Sequence, residues 1–302
     1  MDREILKLLS KFDKINKSAE EILEMSVTEL REKIKETGLN PDDTKSKELI
    51  ESYTKTEIIG KEIYYYDSIK STNLVGKFIA PSVSHGSVVV SKTQTMGKGR
   101  SGKKYESPEG GIWFSIILKP EIPPQKAPIL TLATAVAVTR ALEKSEIKSE
   151  IKWPNDILIN DKKVCGVLTE SIAKLNELEC IIIGVGINSN NDVNEFPPEL
   201  IENSIALKDV SNKEINNEKE IGLILEEFDK IYKEFVEDNT DEIFDEWRKY
   251  SHTIGKMVEI RQPLGKNIVG YAIGINKEGA LILEDTNGKL VKILSGECKL
   301  LN

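Results

Sequence analysis

The chain has 302 residues, enough for two or three domains and a large core, and carries a net charge of −8 with a sequence pI near 5.2. That balance argues against a chain built as a whole to bind nucleic acid; no apolar run is long enough to cross a bilayer, and MDREILKLLSKFDK lacks a signal-peptide core and cleavage site. Three cysteines without a CxxC (Cys165, Cys180, Cys298) fit a reducing, cytoplasmic setting, and only two histidines, His85 and His252, argue against a His-based zinc site or a Ser-His-Asp triad.

In chain order, residues 1 to about 60 are highly charged and helical in period, with Ile5, Leu8, Leu9 and Phe12, then Ile22 and Leu23, then Leu30 and Ile34. Gly38, Asn40 and Pro41 end that set. From Glu62 the pattern becomes short strands: 62–67, 86–93, 111–118, 148–153, 156–160, 163–169 and 180–187. Helices are expected at 71–80, 129–142, 218–237 and near 240–250. From about 255 four short strands follow, MVEIR, IVGYAIGI, ALILED and LVKILS, with Asn287-Gly288 as a hairpin signal. Three units are therefore expected: 1–60, 61–254 and a small all-β module at 255–302.

The stretch with the most chemistry is GKGRSGKKYESPEGG, Gly97 to Gly111. Five of its fifteen residues are glycine and four are cations, Lys98, Arg100, Lys103 and Lys104. Glycines let backbone approach a ligand, and cations among them supply charge for a phosphate or an acyl-phosphate. It is not a Walker A loop, because GxxxxGK[ST] is absent. A solvated linker would look similar, but this loop lies between two expected core strands. A second stretch is KWPNDILINDKKVCG, Lys152 to Gly166. Asn160 and Asp161 read as a hairpin turn, and Asn155 and Asp156 sit at a strand start, where a carboxylate can hold a metal, a ribose or a loop amide. Lys163 follows on the return strand; a lysine there is as readily a solvated face. Ser71-Thr72-Asn73 reads as a helix N-cap, and Gly184 to Asn188 as strand-end glycines that admit a ligand or form a bulge. If the reaction activates a carboxylate with ATP, a cation should stabilise the developing charge, with Mg²⁺ present and Asp156 its candidate ligand.

The order and spacing of these pieces resemble the biotin–protein ligases, which attach biotin to carboxylase carrier domains. The family's Ser-Thr-Asn is matched by Ser71, Thr72 and Asn73, and its Gln before a GRGRRGR-type loop by Gln94 before Gly97 to Lys103. Its SPxGG is Ser107 to Gly111, its KWPNDL is Lys152 to Ile157, its KxxG is Lys163 to Gly166, and its GxGIN is Gly184 to Asn188. With KWPNDL and the KxxG that follows it taken as one, five motifs in one order over about residues 62–300 are far more specific than any one alone. The resemblance implies an α+β fold: a mixed-sheet catalytic domain with helices on one face, a small SH3-like β module and an N-terminal helical segment.

It also implies a reaction in which biotin and ATP give biotinyl-5′-adenylate, whose acyl group passes to a lysine of a biotin carboxyl carrier domain. Lys163 and Arg100 are expected as the catalytic cations. Biotin is expected to meet Ser71, Thr72, Asn73, Gln94, Gly97, Gly99, Arg100, Lys163, Gly166, Gly184 and Gly186. The nucleotide is expected near Lys98, Lys103, Lys104, Asn155, Asp156 and Asn188, with no membrane partner and a homodimer among the assemblies open to it. The chain departs from the pattern at Lys98 and Ser101, where the family loop has Arg, and at Tyr105, where it has Trp. Lipoate–protein ligase is the neighbouring reading, but its RR-x-x-GGG loop is absent.

In many such ligases the amino-terminal segment is a winged helix that binds the biotin operator, which opens a third reading, a biotin-responsive repressor. Here residues 1–60 hold 11 Lys/Arg against 14 Asp/Glu. Val27 to Glu36, where a recognition helix would fall, sets Arg31, Lys33 and Lys35 against Glu29, Glu32 and Glu36. No Gly-rich wing follows. Phosphate binding needs a positive face, so the segment reads as degenerate and DNA binding is not expected.

Overall fold

The computed structural model describes residues 44–174, 177–262 and 267–301. A seven-stranded sheet forms its centre: β1 (Ile63–Ile69), β2 (Ser87–Gln94), β3 (Ile112–Leu118), β4 (Glu150–Lys152), β5 (Asp156–Ile159), β6 (Lys162–Lys174) and β7 (Glu177–Ile187). The order is β1-β2-β3-β7-β6-β5-β4. β1 and β2 pair in parallel and the rest antiparallel, so the sheet is mixed as expected. Every residue of β3 is buried, which is why IWFSIIL reads as an apolar run broken only by Ser115 rather than as an alternating one. Asn160 and Asp161, at φ 50° and 63°, make the two-residue β5–β6 turn.

The helices divide unequally between the faces. α1 (Thr44–Tyr53), α3 (Ala127–Lys144), α6 (Asn217–Val236) and α7 (Thr240–Tyr250) share one core with β-strand residues such as Val88, Phe114, Val167 and Ile183. The short α2 (Thr72–Ile79) lies on the other face, packing Val75, Phe78 and Ile79 on Val89, Ile117 and Ile182. The one-sided cover expected from sequence thus holds for the long helices, while α2, the crossover between parallel strands, takes the opposite side. Two short helices, α4 (Pro198–Ile201) and α5 (Leu207–Ser211), follow β7.

Residues 44–60, grouped by sequence with the N-terminal unit, are built into this body. Ile50 and Ile59 are fully buried, and the Asp229 carboxylate on α6 accepts from the backbone N–H groups of Glu57, Ile58 and Ile59. The winged-helix-like reading of residues 1–43 lies outside the described residues.

The C-terminal module is a second, five-stranded antiparallel sheet, ordered β11-β10-β9-β8-β12. Its strands are β8 (Met257–Arg261), β9 (Ile268–Ile275), β10 (Leu281–Asp285), β11 (Leu290–Ile293) and β12 (Glu297–Leu300). The fifth, β12, is absent from the sequence expectation, because ECKL carries too little apolar alternation to stand out. The module joins the catalytic core through Trp153, whose indole donates to Gly279 O and whose backbone N–H donates to Thr253 Oγ1.

Candidate active site

The site lies on the α2 face, the less covered side of the sheet. One register row crosses it: Ser91, Trp113, Gly186, Gly166, Asp156 and Lys152 are successive partners. Two adjacent glycines in such a row leave a trough in an otherwise side-chain-covered surface. The Tyr105 ring fills it. A Cβ at Gly186 would stand 2.6 Å from that ring, and one at Gly166 3.1 Å. The Tyr105 hydroxyl donates to Gly186 O at 2.8 Å, and the ring meets Trp113 edge-on. Burial, reinforced by Cys165 and Asp156, pushes the phenol well above its ordinary range, so it stays a donor. The next glycine, Gly184, admits Asn73: a Cβ there would lie 2.1 Å from Asn73 Oδ1. Glycines expected to admit a ligand therefore admit Tyr105 and Asn73 here, and Gly97 likewise clears Tyr105 O, at 2.4 Å. Gly99 is less confined, its nearest contact being Lys103 O at 3.6 Å.

A polar network runs beside the trough. Thr72 donates to Gln94 Oε1 through its backbone N–H (2.8 Å) and its hydroxyl (3.2 Å), and Gln94 Nε2 donates to Ser107 Oγ. Gln94, not Ser71, thus satisfies the first turn of α2. Ser71 has the extended geometry of an N-cap but makes no capping bond. Ser115 donates to Asn73 Oδ1 at 2.6 Å and lies 2.7 Å from Thr72 Oγ1. Asn73 Nδ2 in turn donates to Glu170, which also holds Lys77 at 2.7 Å. Ser115 and Glu170 are absent from the sequence expectation. Ser115 hides inside the apolar run of β3, and only its neighbours across the sheet give it a role.

The cations converge at the other end of the row. Between β5 and β6 the pairing slips, Ile157 facing Cys165 but Leu158 facing Lys163, and this bulge re-aims Lys163. Lys163 Nζ reaches Asp156 Oδ1 at 2.5 Å and sits 5.5 Å from the Tyr105 ring centroid. Arg100 donates to Asn155 Oδ1 and to Gly296 O, both at 2.9 Å. Burial lowers its pKa somewhat while Asp156 and Glu297 support the charge, so it remains a cation. Asn155 is fixed in turn by donating to Val167 O. Lys103 pairs with Glu297 at 2.7 Å and Lys104 with Glu106 at 2.8 Å, both at the surface, where such pairs are weak and open to competition. Lys98 is exposed, its backbone bridged to Lys104. Asn188, buried, follows β7 and donates its backbone N–H to Val164 O, beside Lys163.

At Asp156 the single carboxylate is ion-paired to Lys163, and among the described residues no group of three or more His, Cys, Asp or Glu forms a metal site of protein ligands alone. No helix among the described residues is long and apolar enough to cross a membrane.

This fold and these motifs define the biotin/lipoate ligase class. Residues 65–188 match the Biotin/lipoate A/B protein ligase family, and residues 253–301 match the biotin protein ligase C-terminal domain. The chain is 40% identical over 249 residues to the bifunctional ligase/repressor BirA of Bacillus subtilis, covering 82% of this chain and 76% of that one. It is 26% identical over 226 residues to the biotin–[acetyl-CoA-carboxylase] ligase of Paracoccus denitrificans, covering 73% of this chain and 93% of that protein. Among solved structures, the biotin protein ligase of Aquifex aeolicus in complex with biotin and ATP superimposes with a TM-score of 0.68 at 29% identity, over 80% of this chain and 99% of that one. The chain belongs to the biotin protein ligase family.

Proposed function

We propose that this protein is an ATP-dependent biotin–protein ligase whose chemistry centres on Lys163 and Arg100. The observation that carries this reading is that Lys163 reaches Asp156 while Arg100 is held by the adjacent Asn155, on the sheet face that also carries the network fixing Thr72, Gln94 and Asn73. In the first step a biotin carboxylate oxygen bonds to the α-phosphorus of ATP as the bond to pyrophosphate breaks. Lys163 and Arg100 neutralise the charge that develops there, which is where preorganised cations lower a barrier most. In the second step a carrier-domain lysine attacks the acyl carbon and AMP leaves.

Gln94, Thr72, Ser71 and Asn73 are assigned to biotin, and so is the backbone at Gly97 and Gly99, while Gly166, Gly184 and Gly186 are assigned to making room for the Tyr105 and Asn73 side chains that line the site. The exposed Lys98, Lys103 and Lys104 are assigned to the phosphates, with Asn155, Asp156 and Asn188 beneath them. Asp156, ion-paired as it is, is assigned to orienting Lys163 rather than to metal ligation, so the divalent cation travels with the nucleotide's phosphates. The acceptor is the biotin carboxyl carrier domain of a carboxylase. Three buried free thiols, Cys165, Cys180 and Cys298, support a cytoplasmic setting. A homodimer is the assembly to look for, by sedimentation with and without biotin.

The test is transfer itself. The protein, biotin and ATP are incubated with an isolated carrier domain and with a version whose acceptor lysine is replaced by Arg. Labelling of the first and not the second, read by streptavidin blot, is the expected result; labelling of neither contradicts the assignment.

A further inference from the structure

An amide cluster outside the reacting site grips the C-terminal root of the basic loop, Gly110 and Gly111. Asn217 is the first residue of α6. The cap of that helix is supplied by its neighbour, since Asn216 Oδ1 accepts from Lys219 N at 2.8 Å. Asn217 is thus released from capping and turns inward. Its Nδ2 donates to Gly110 O at 3.0 Å and lies 3.4 Å from Gly111 O, the last two residues of the loop. Its Oδ1 accepts from Ser189 Oγ at 2.6 Å and from Asn190 Nδ2 at 3.3 Å. Gly110 O takes a second donor, Asn190 N, at 2.8 Å. At φ +94° and with Asn191 N only 2.8 Å from a would-be Cβ, Gly110 has no room for any other residue.

The same segment grips the strand of Lys163. Asn188 N donates to Val164 O, Lys163 N to Asn203 O, and Ile205 N to Lys163 O. Residues 188–205 therefore touch the loop root on one side and the lysine strand on the other, and Asn217 ties them to a long core helix.

We propose that Asn217 is a positioning residue that anchors the loop's C-terminal root, so that the closed loop retains the acyl-adenylate. This rests on the ligase reading above. Asn217→Asp is the informative change. The change turns the donor into an acceptor facing two carbonyl oxygens, so the melting temperature should fall under either role, and a merely structural Asn217 predicts unchanged kinetics and unchanged adenylate retention. The positioning role predicts otherwise. Biotinyl-AMP should then dissociate roughly tenfold or more faster, the scale of a lost hydrogen bond and its unpaired partner, and KM for biotin should rise more than kcat falls.

Ser189→Ala, which removes only the hydroxyl on Asn217 Oδ1, should shift both in the same direction by less. The experiment measures release of radiolabelled biotinyl-AMP from wild type, Asn217→Asp and Ser189→Ala, with thermal melting alongside. Wild type that forms no biotinyl-AMP overturns the functional reading. Wild type that retains it, with both folded variants retaining it equally well, overturns the anchor. Should Asn217→Asp not fold, Ser189→Ala decides alone.

Discussion

The catalytic role proposed for Lys163 predicts that replacing it by Ala separates catalysis from stability. The Lys163–Asp156 pair is close, 2.5 Å, but its side chains are 34% and 26% exposed. Partly solvated pairs of this kind are worth about 0–1 kcal/mol. At ~2–4 °C per kcal/mol for a chain of this size, the melting temperature should fall by no more than a few degrees. The cost to chemistry is larger. Removing one preorganised group at a site of developing charge typically costs about 10²–10³ in rate, or ~2.7–4 kcal/mol. Lys163→Ala should therefore lose most biotin-dependent pyrophosphate exchange while melting nearly as wild type. Lys163→Arg should recover only part, since the wider guanidinium carries its charge elsewhere and meets Asp156 as a planar fork. Near-wild-type exchange by Lys163→Ala at saturating biotin and ATP would refute the assignment and return Lys163 to an ordinary solvated hairpin lysine.

Three further outcomes follow from named contacts. Amide exchange at the exposed loop tip, Lys98 to Lys104, should slow when biotin and ATP are added, because its lysines face solvent until a ligand engages them; equal exchange with and without ligand would contradict this. Residues 1–60 should give no specific nanomolar binding of operator duplex at physiological salt, given 11 Lys/Arg against 14 Asp/Glu, and because Ile50 and Ile59 are core residues, deletion of 1–60 should destabilise the catalytic body. Burial alone would raise the Asp229 carboxyl, but the N–H groups of Ile59, Glu57 and Ile58 and the Lys233 ammonium outweigh it and hold it below its ordinary value. Its stabilisation is then present above the unfolded-state pKa and is lost as pH falls through the folded one, so Asp229→Asn should melt lower at neutral pH and lose that part of the acid dependence. A variant that melts as wild type at pH 7 would show the carboxylate to be dispensable.

Much of the catalytic body is legible in the residues themselves. β2, β3 and β7 read as apolar runs because both faces are covered, and the β5–β6 turn announces itself as Asn160-Asp161. What stays hidden is what depends on neighbours across the sheet. The bulge that turns Lys163 toward Asp156 leaves no mark in KKVCG. Gly166, Gly184 and Gly186 signal absent side chains, but not that Tyr105 and Asn73 occupy the space. Ser115 and Glu170 look like strand residues until their hydrogen-bond partners are known. The boundary at residue 60 follows a change in composition, whereas the chain enters the core earlier, through Ile50 and the loop held by Asp229.

The most direct measurement of the central claim is product identity. Purified protein is incubated with ATP and either biotin, lipoate or octanoate, and the adenylates are resolved by mass spectrometry. The account predicts biotinyl-5′-AMP with release of pyrophosphate and little or no adenylate from the other two acids. Lipoyl- or octanoyl-AMP formed as readily as biotinyl-AMP, or no adenylate from biotin at all, would contradict it.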